Sequence, residues 1–169
     1  MVRLRIPQTM IERWVCDLRQ ARSKEIGGVL FGEQIAVGDF RIVEATRQLF
    51  VGGTESTFKR RGYAARKQVL DLHRRFGDNP AQFNYLGEWH SHPAAPVVPS
   101  NQDESTMYRL LAEQSGAVNF LVLIIVRLDA DSRFYISART YLASGHTLDC
   151  EIEVENAGFI SVGTSSFEK

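Results

Sequence analysis

Residues 120–126 read Phe-Leu-Val-Leu-Ile-Ile-Val, an unbroken apolar run with no alternation. A strand with one wet face alternates apolar and polar side chains, so a strand of this kind has to be covered on both faces. That requirement governs the whole fold. The rest of the chain must supply a sheet around the run and helices above and below it. The run is also far shorter than the roughly 20 residues that cross a bilayer.

Three segments carry helical spacing. Met10, Ile11, Trp14, Val15 and Leu18 fall on one stripe, which predicts a helix fading near Ser23, with Thr9 as its cap and Glu12 as the capping-box partner. Residues 63–76 resume the spacing, and Gly77-Asp78-Asn79-Pro80 stops it. A third helix is expected from Ser100 to about Ser115. Strands are expected at 25–32 and 40–49, joined by a turn at Gly38-Asp39, and at 83–89. Further strands are expected at 119–128, at 133–141 after a turn, and at 148–154. Residues 93–99 hold Pro93, Pro96 and Pro99 and exclude regular structure. This order predicts one α+β or α/β domain over residues 1–155, a mixed sheet flanked by helices, with a polar tail at 156–169.

The chain has 169 residues, 44% hydrophobic and 24% charged, the composition of an ordinary globular domain. Twenty Lys and Arg balance twenty Asp and Glu, so no overall field draws it to nucleic acid or to an anionic membrane. Two local basic clusters, Phe58-Lys59-Arg60-Arg61 and His73-Arg74-Arg75, read first as solvated faces. Cys16 and Cys150 make neither a disulfide framework nor a Cys-rich metal site, and reduced thiols are expected. No apolar leader opens the sequence, and a cytoplasmic location is expected.

The residues that carry chemistry lie close together, as Leu86-Gly87-Glu88-Trp89-His90-Ser91-His92-Pro93 and Ser100-Asn101-Gln102-Asp103. On a strand, His90 and His92 point to one face, roughly 6–7 Å apart, while Trp89 and Ser91 point to the other. Asp103 arrives from the first turn of the next helix. Two imidazoles and a carboxylate make a three-ligand set for zinc, which takes four ligands and so keeps a position for water, as catalytic zinc sites do. Water held there titrates near pH 7. Each part also has a plainer account. A bare H-x-H on a strand is commonly structural, and Ser100-x-x-Asp103 is a sound capping box. Their co-occurrence within one 14-residue window is what favours a metal.

Hydrolysis at such a site needs a base beside the water that can pass its proton to the leaving amine. Glu25 is the candidate, at the start of the first predicted strand. Gly27 and Gly28 beside it would let a substrate backbone approach closely. Glu88 competes for the role, being on the His90 face by strand parity. His73 and His146 read as a helix-surface and a loop residue.

Glu25, then His90-Ser91-His92-Pro93, six residues, and Ser100-x-x-Asp103 together resemble the JAMM motif of the JAB/MPN metalloprotease family. Residues 25–32, Glu-Ile-Gly-Gly-Val-Leu-Phe-Gly, resemble that family's Glu-bearing strand, and the likeness spans roughly residues 10–140. The resemblance implies a curved mixed sheet flanked by helices, similar in outline to cytidine deaminases. It implies one catalytic zinc ion (Zn2+) held by His90, His92 and Asp103, Glu25 as general acid/base, and Ser100 steadying the tetrahedral oxyanion. It also implies a substrate: the isopeptide or peptide bond after the C-terminal tail of ubiquitin or a ubiquitin-like protein, a tail that would add to a sheet edge near the zinc. The short form is similar to bacterial JAMM proteins encoded with ubiquitin-activating-like and conjugating-like enzymes, antiphage operons among them. Their target is a ubiquitin-like protein or a conjugated nucleotidyltransferase. Processing of a sulfur-carrier ubiquitin-like protein is the second reading.

Two other classes stay open. A non-catalytic MPN scaffold is an interaction protein, but such relatives lack the ligands present here. A different zinc enzyme would carry another pattern, H-x-E with P-C-x-x-C for a nucleobase deaminase or H-E-x-x-H on a helix for a zincin. The sequence has neither.

Overall fold

The apolar run forms the strand Phe120–Leu128, and its side chains alternate between two cores. Val122, Ile124 and Val126 enter one cluster, and Leu121, Leu123 and Ile125 enter the other. Each such aliphatic side chain contributes roughly 1.5–3 kcal/mol on burial, which is why the strand has no polar phase. The computed structural model describes residues 1–48, 62–114 and 118–155. Among these the elements are β1 (Arg3–Pro7), α1 (Gln8–Ala21), β2 (Gly27–Ala36), β3 (Asp39–Ala45), α2 (Gly62–Arg75), β4 (Phe83–Ser91), α3 (Asn101–Glu113), β5 (Phe120–Leu128), β6 (Phe134–Leu142), β7 (Thr147–Asp149) and β8 (Glu151–Glu155). The fold is α+β: one mixed sheet in the order β7-β6-β5-β4-β2-β3-β1-β8, with three helices among the described residues.

α1 lies against one face of the sheet, where Trp14 meets Trp89 with ring centroids 5.4 Å apart. Residues of β1 through β6 surround it. Helices α2 and α3 cover the opposite face, with Leu72, Met107, Leu110 and Leu111 packed on Val29, Leu121, Leu123 and Ile125.

The structure departs from the sequence expectation in three places. Residues 3–7 are a strand, because Leu4 and Ile6 turn inward between half-buried Arg3 and Arg5 and the strand pairs in parallel with β3. The α1 helix begins at Gln8 with Pro7 as its N-cap and no side-chain cap bond. Thr9 therefore lies inside the first turn, and the fixed φ of Pro7 sets the start. The expected strand at 148–154 is two strands. Thr147–Asp149 pairs with β6, whereas Glu151–Glu155 pairs with β1 at the far edge. At the switch, Cys150 N–H donates to the Ala138 carbonyl and Glu151 N–H to that of Val2. One short segment thus ties both edges of the sheet. Arg3–Glu151 (3.2 Å), Arg5–Glu153 (3.9 Å) and Arg41–Glu155 (2.9 Å) ion pairs line this seam.

Gly87 makes the bend next to the site possible. Leu30 pairs with Gly87 but Phe31 with Tyr85, so Leu86 is an extra residue in β4, a bulge. Gly87 has φ 142°, and a Cβ there would overlap the Val122 carbonyl oxygen. Gly87→Ala is expected to lower unfolding free energy by about 1–3 kcal/mol, read from denaturant titration. A midpoint equal to that of the parent would refute this account of the bulge.

No helix among the described residues is long and apolar enough to cross a membrane. Both cysteines are free thiols. Arg74 pairs with Asp71 (3.4 Å) and Arg75 with Glu44 (3.3 Å), so that basic cluster is a paired surface. The cluster at 58–61, the end of the second hairpin arm at 49 and the tail at 156–169 lie outside the described residues.

Candidate metal centre

Strand parity fixes which way each residue of β4 points. His90 pairs with Ile125, a member of the core under α2 and α3. Trp89 faces the α1 core, and its indole N–H donates to the Thr46 carbonyl (2.8 Å). The Ser91 hydroxyl accepts from the Ile26 N–H (2.9 Å). His90 and His92, both buried, therefore share the α2/α3 face, and their Nε2 atoms converge to 3.0 Å.

Asp103 reaches the same point from the start of α3. Ser100 is the N-cap and Asp103 closes a capping box. The Ser100 N–H and hydroxyl both donate to Asp103 Oδ2, each at 2.7 Å, and the Asp103 N–H donates back to the Ser100 hydroxyl (3.2 Å). Oδ1 stands 3.5 Å from His90 Nε2, and Oδ2 stands 3.7 Å from His92 Nε2. The capping and ligand readings coexist, because Oδ2 serves the helix and Oδ1 remains for a metal.

Tetrahedral zinc with bonds of about 2.0–2.1 Å sets its donor atoms about 3.3 Å apart. The two imidazole nitrogens stand 3.0 Å apart and Asp103 Oδ1 stands 3.5 Å from the His90 nitrogen, near that requirement, and one ligand atom from each of the three residues lies within 4.8 Å of the others. His90, His92 and Asp103 form a group that could hold a metal ion.

Electrostatics prepare the same set. Burial pushes the His90 pKa down to about 4, helped by His92 and opposed by Asp103, so its ring is neutral and can offer a lone pair at neutral pH. At His92 burial also works against the charged form, but Asp103, the Pro96 carbonyl and the charge of Glu25 outweigh it and raise the pKa. Burial opposes ionisation of Asp103, yet His92, His90 and the Ser100 donors hold its carboxyl well below the usual range.

Glu25 sits just before β2 and is partly buried. Gly27 pairs with His90, and the Ser91 N–H donates to the Ile26 carbonyl (2.8 Å). Continuing that antiparallel register sets Glu25 across from His92, on the metal face. Glu25 stands outside the donor trio. Glu88 is buried two residues before His90 on the same face and accepts from the Tyr85 hydroxyl (3.3 Å). It too is outside the trio.

The two glycines have a different role from the one expected. A Cβ on Gly27 would overlap the Trp89 carbonyl oxygen and lie 2.9 Å from the His90 Cβ, and one on Gly28 would overlap the Thr46 carbonyl. The space they leave is filled by β4 and the Thr46 peptide, not kept for a substrate backbone. Their smallness brings β2 tightly against the histidine strand.

One contact had no signature in the sequence. His92 Nδ1 lies 2.7 Å from the Pro96 carbonyl oxygen. A proline in a loop announces a missing donor but not where its own carbonyl points. His73 packs edge-on to Phe31 (4.9 Å) and His146 is exposed, both away from the site.

The sequence matches the family model described as prokaryotic homologs of the JAB domain over residues 7–138. A protein named CD-NTase/cGAS isopeptidase from Enterobacter hormaechei subsp. hoffmannii is 28% identical over 134 residues, spanning 79% of this chain and 72% of that one. A Desulfitobacterium hafniense protein solved in solution shares the fold with a TM-score of 0.67 at 20% identity, over 90% of this chain and 92% of that one. A JAB1/MPN domain protein from Archaeoglobus fulgidus aligns over 89% of this chain and 97% of its own, with a TM-score of 0.46 and 17% identity. By the family model matched over most of its length, the chain belongs to the prokaryotic homologs of the JAB domain.

Proposed function

We propose that this protein is a zinc-dependent isopeptidase or peptidase that cleaves the bond after the C-terminal tail of a ubiquitin-like protein. The observation that carries this reading is the convergence of His90, His92 and the Asp103 carboxylate within 4.8 Å of one another, with the charge of Glu25 acting on His92 beside them. A trio leaves a coordination position open, as a hydrolytic site needs and a structural zinc site does not. A non-catalytic scaffold has no use for such a set. The name of the Enterobacter relative, CD-NTase/cGAS isopeptidase, supports a conjugated nucleotidyltransferase as the target. The partners implied are the activating-like and conjugating-like enzymes that would build that conjugate.

Zinc held by His90, His92 and Asp103 supplies Lewis-acid polarisation of the scissile carbonyl and acidifies water. The chain's own residues do the rest. Neutral His90 and ionised Asp103 hold the metal without first losing a proton. Glu25 accepts a proton from water as its oxygen attacks the carbonyl carbon, then delivers it to the amine as the C–N bond breaks. The products are a tail carboxylate and a free target amine. The Ser100 hydroxyl proton is engaged with Asp103 Oδ2. In this reading Ser100 first orients the ligand and reaches the oxyanion only when that proton changes partner.

The test combines metal analysis with cleavage. The purified protein is expected to hold one zinc per chain. It should cut a ubiquitin-like protein–nucleotidyltransferase conjugate or fusion after the tail, stop on chelation and resume with added zinc. A protein that takes up no zinc, or a zinc-loaded one that leaves a panel of ubiquitin-like conjugates and fusions intact, removes the proposal.

A further inference from the structure

We infer that Ser137, on a strand that carries no ligand, is a positioning residue for the metal centre, acting through the proline loop at 93–99. The inference rests on the reading of His92 as a metal ligand. A neutral imidazole offers Nε2 to a metal only when its proton is on Nδ1, and the partner of Nδ1 selects that tautomer. Here the partner is the Pro96 carbonyl, 2.7 Å from Nδ1. A carbonyl can only accept, so Nδ1 donates and Nε2 is left bare, facing His90 and Asp103.

The loop cannot hold that carbonyl still by itself. Pro93, Pro96 and Pro99 have no N–H to donate, and Ala94, Ala95, Pro96 and Val98 are exposed. The next carbonyl along, that of Val97, accepts from the Ser137 hydroxyl. Ser137 pairs with Ile125, which pairs with His90. The three therefore form one row across β6, β5 and β4 on the metal face. The Val97 side chain packs against the core below. Two successive loop carbonyls are thus pinned, one to the ligand and one to the sheet. The sheet spacing between β4 and β6, about 10 Å over two strand intervals, becomes a fixed span for the loop. Loss of the Ser137 hydroxyl frees the Val97 peptide to turn to water, and the Pro96 carbonyl with it. His92 then divides between tautomers, one of which cannot bind.

Ser137→Thr and Ser137→Val form the cleanest comparison, since the two side chains have nearly the same shape, suit a strand, and differ in the hydroxyl. Zinc affinity is read by competition with a fluorescent chelator, and the His92 tautomer by nitrogen-15 NMR of the metal-free protein at a pH high enough for the ring to be neutral. Groups that touch a ligand directly usually change metal affinity about 10–100-fold, and Ser137 stands one step further out, which sets the lower end, about tenfold, as its effect. Zinc affinity of Ser137→Val is expected to fall about tenfold, with mixed His92 tautomers, while Ser137→Thr stays near the parent. Equal affinity in the Val and Thr variants, or an unchanged tautomer in the Val variant, overturns the inference. Absence of zinc binding by the parent protein overturns instead the metal reading on which it depends, so the two failures are distinct.

Discussion

Glu25→Gln is expected to keep zinc and to lose about 10²–10⁴-fold in turnover, the usual contribution of a positioned general base. The amide is nearly the same size as the carboxyl, and Glu25 lies outside the donor trio, so the metal should stay. What it loses is the capacity to accept a proton. The measurement is the rate constant for cleavage of a ubiquitin-like fusion, beside zinc content by mass spectrometry. Turnover within a few fold of the parent would assign the base elsewhere, with Glu88 next in line on the same face. Loss of zinc together with activity would make Glu25 a support of the metal, not the proton carrier.

His90→Ala is expected to abolish both zinc and cleavage. Of the two candidate histidine ligands, His90 is the one that burial holds neutral, its pKa pushed down to about 4, and no other described His, Cys or acid completes the trio. Two ligands do not make a zinc site. The fold should survive, because the α3 cap uses Ser100 and Asp103 Oδ2, not the histidine. A ligand that binds only the native state at 1,000 times its dissociation constant adds about 4 kcal/mol. Zinc should accordingly raise the melting temperature of the parent and leave that of His90→Ala unmoved. Stoichiometric zinc in the variant would mean that the metal sits elsewhere.

Much of the candidate site was legible before the fold. The His90/His92 pair needs only strand parity, which any alternating backbone enforces, and Ser100 with Asp103 needs only the geometry of a helix start. The proline loop between them was equally plain. Glu25 was visible as a residue type in a suitable strand, though not as a neighbour of His92. The reading of Gly27 and Gly28 went astray because a glycine announces that something comes close and not what comes. The Cβ spaces belong to Trp89, His90 and Thr46. β1 was missed although Leu4 and Ile6 alternate with arginines. A five-residue strand has too few periods to stand out, and it exists only because β3 and β8 flank it.

The sequence by itself determined that one strand must be buried on both faces, that two imidazoles share a face, and that a carboxylate opens the following helix. These follow from local sterics and from periods of 2 and 3.6 residues, which act over a few residues and survive any tertiary context. The tertiary structure alone decided that the three candidate donor groups meet within 4.8 Å of one another. It alone decided that Glu25 faces His92, since the register joining Ile26 to Ser91 spans 65 residues. It also decided that Ser137 reaches the proline loop, and that residues 147–155 tie both edges of the sheet. Those relations depend on which strands pair and in what register. Register is set by burying whole faces at once, a property of the packed sheet that no short stretch of chain contains.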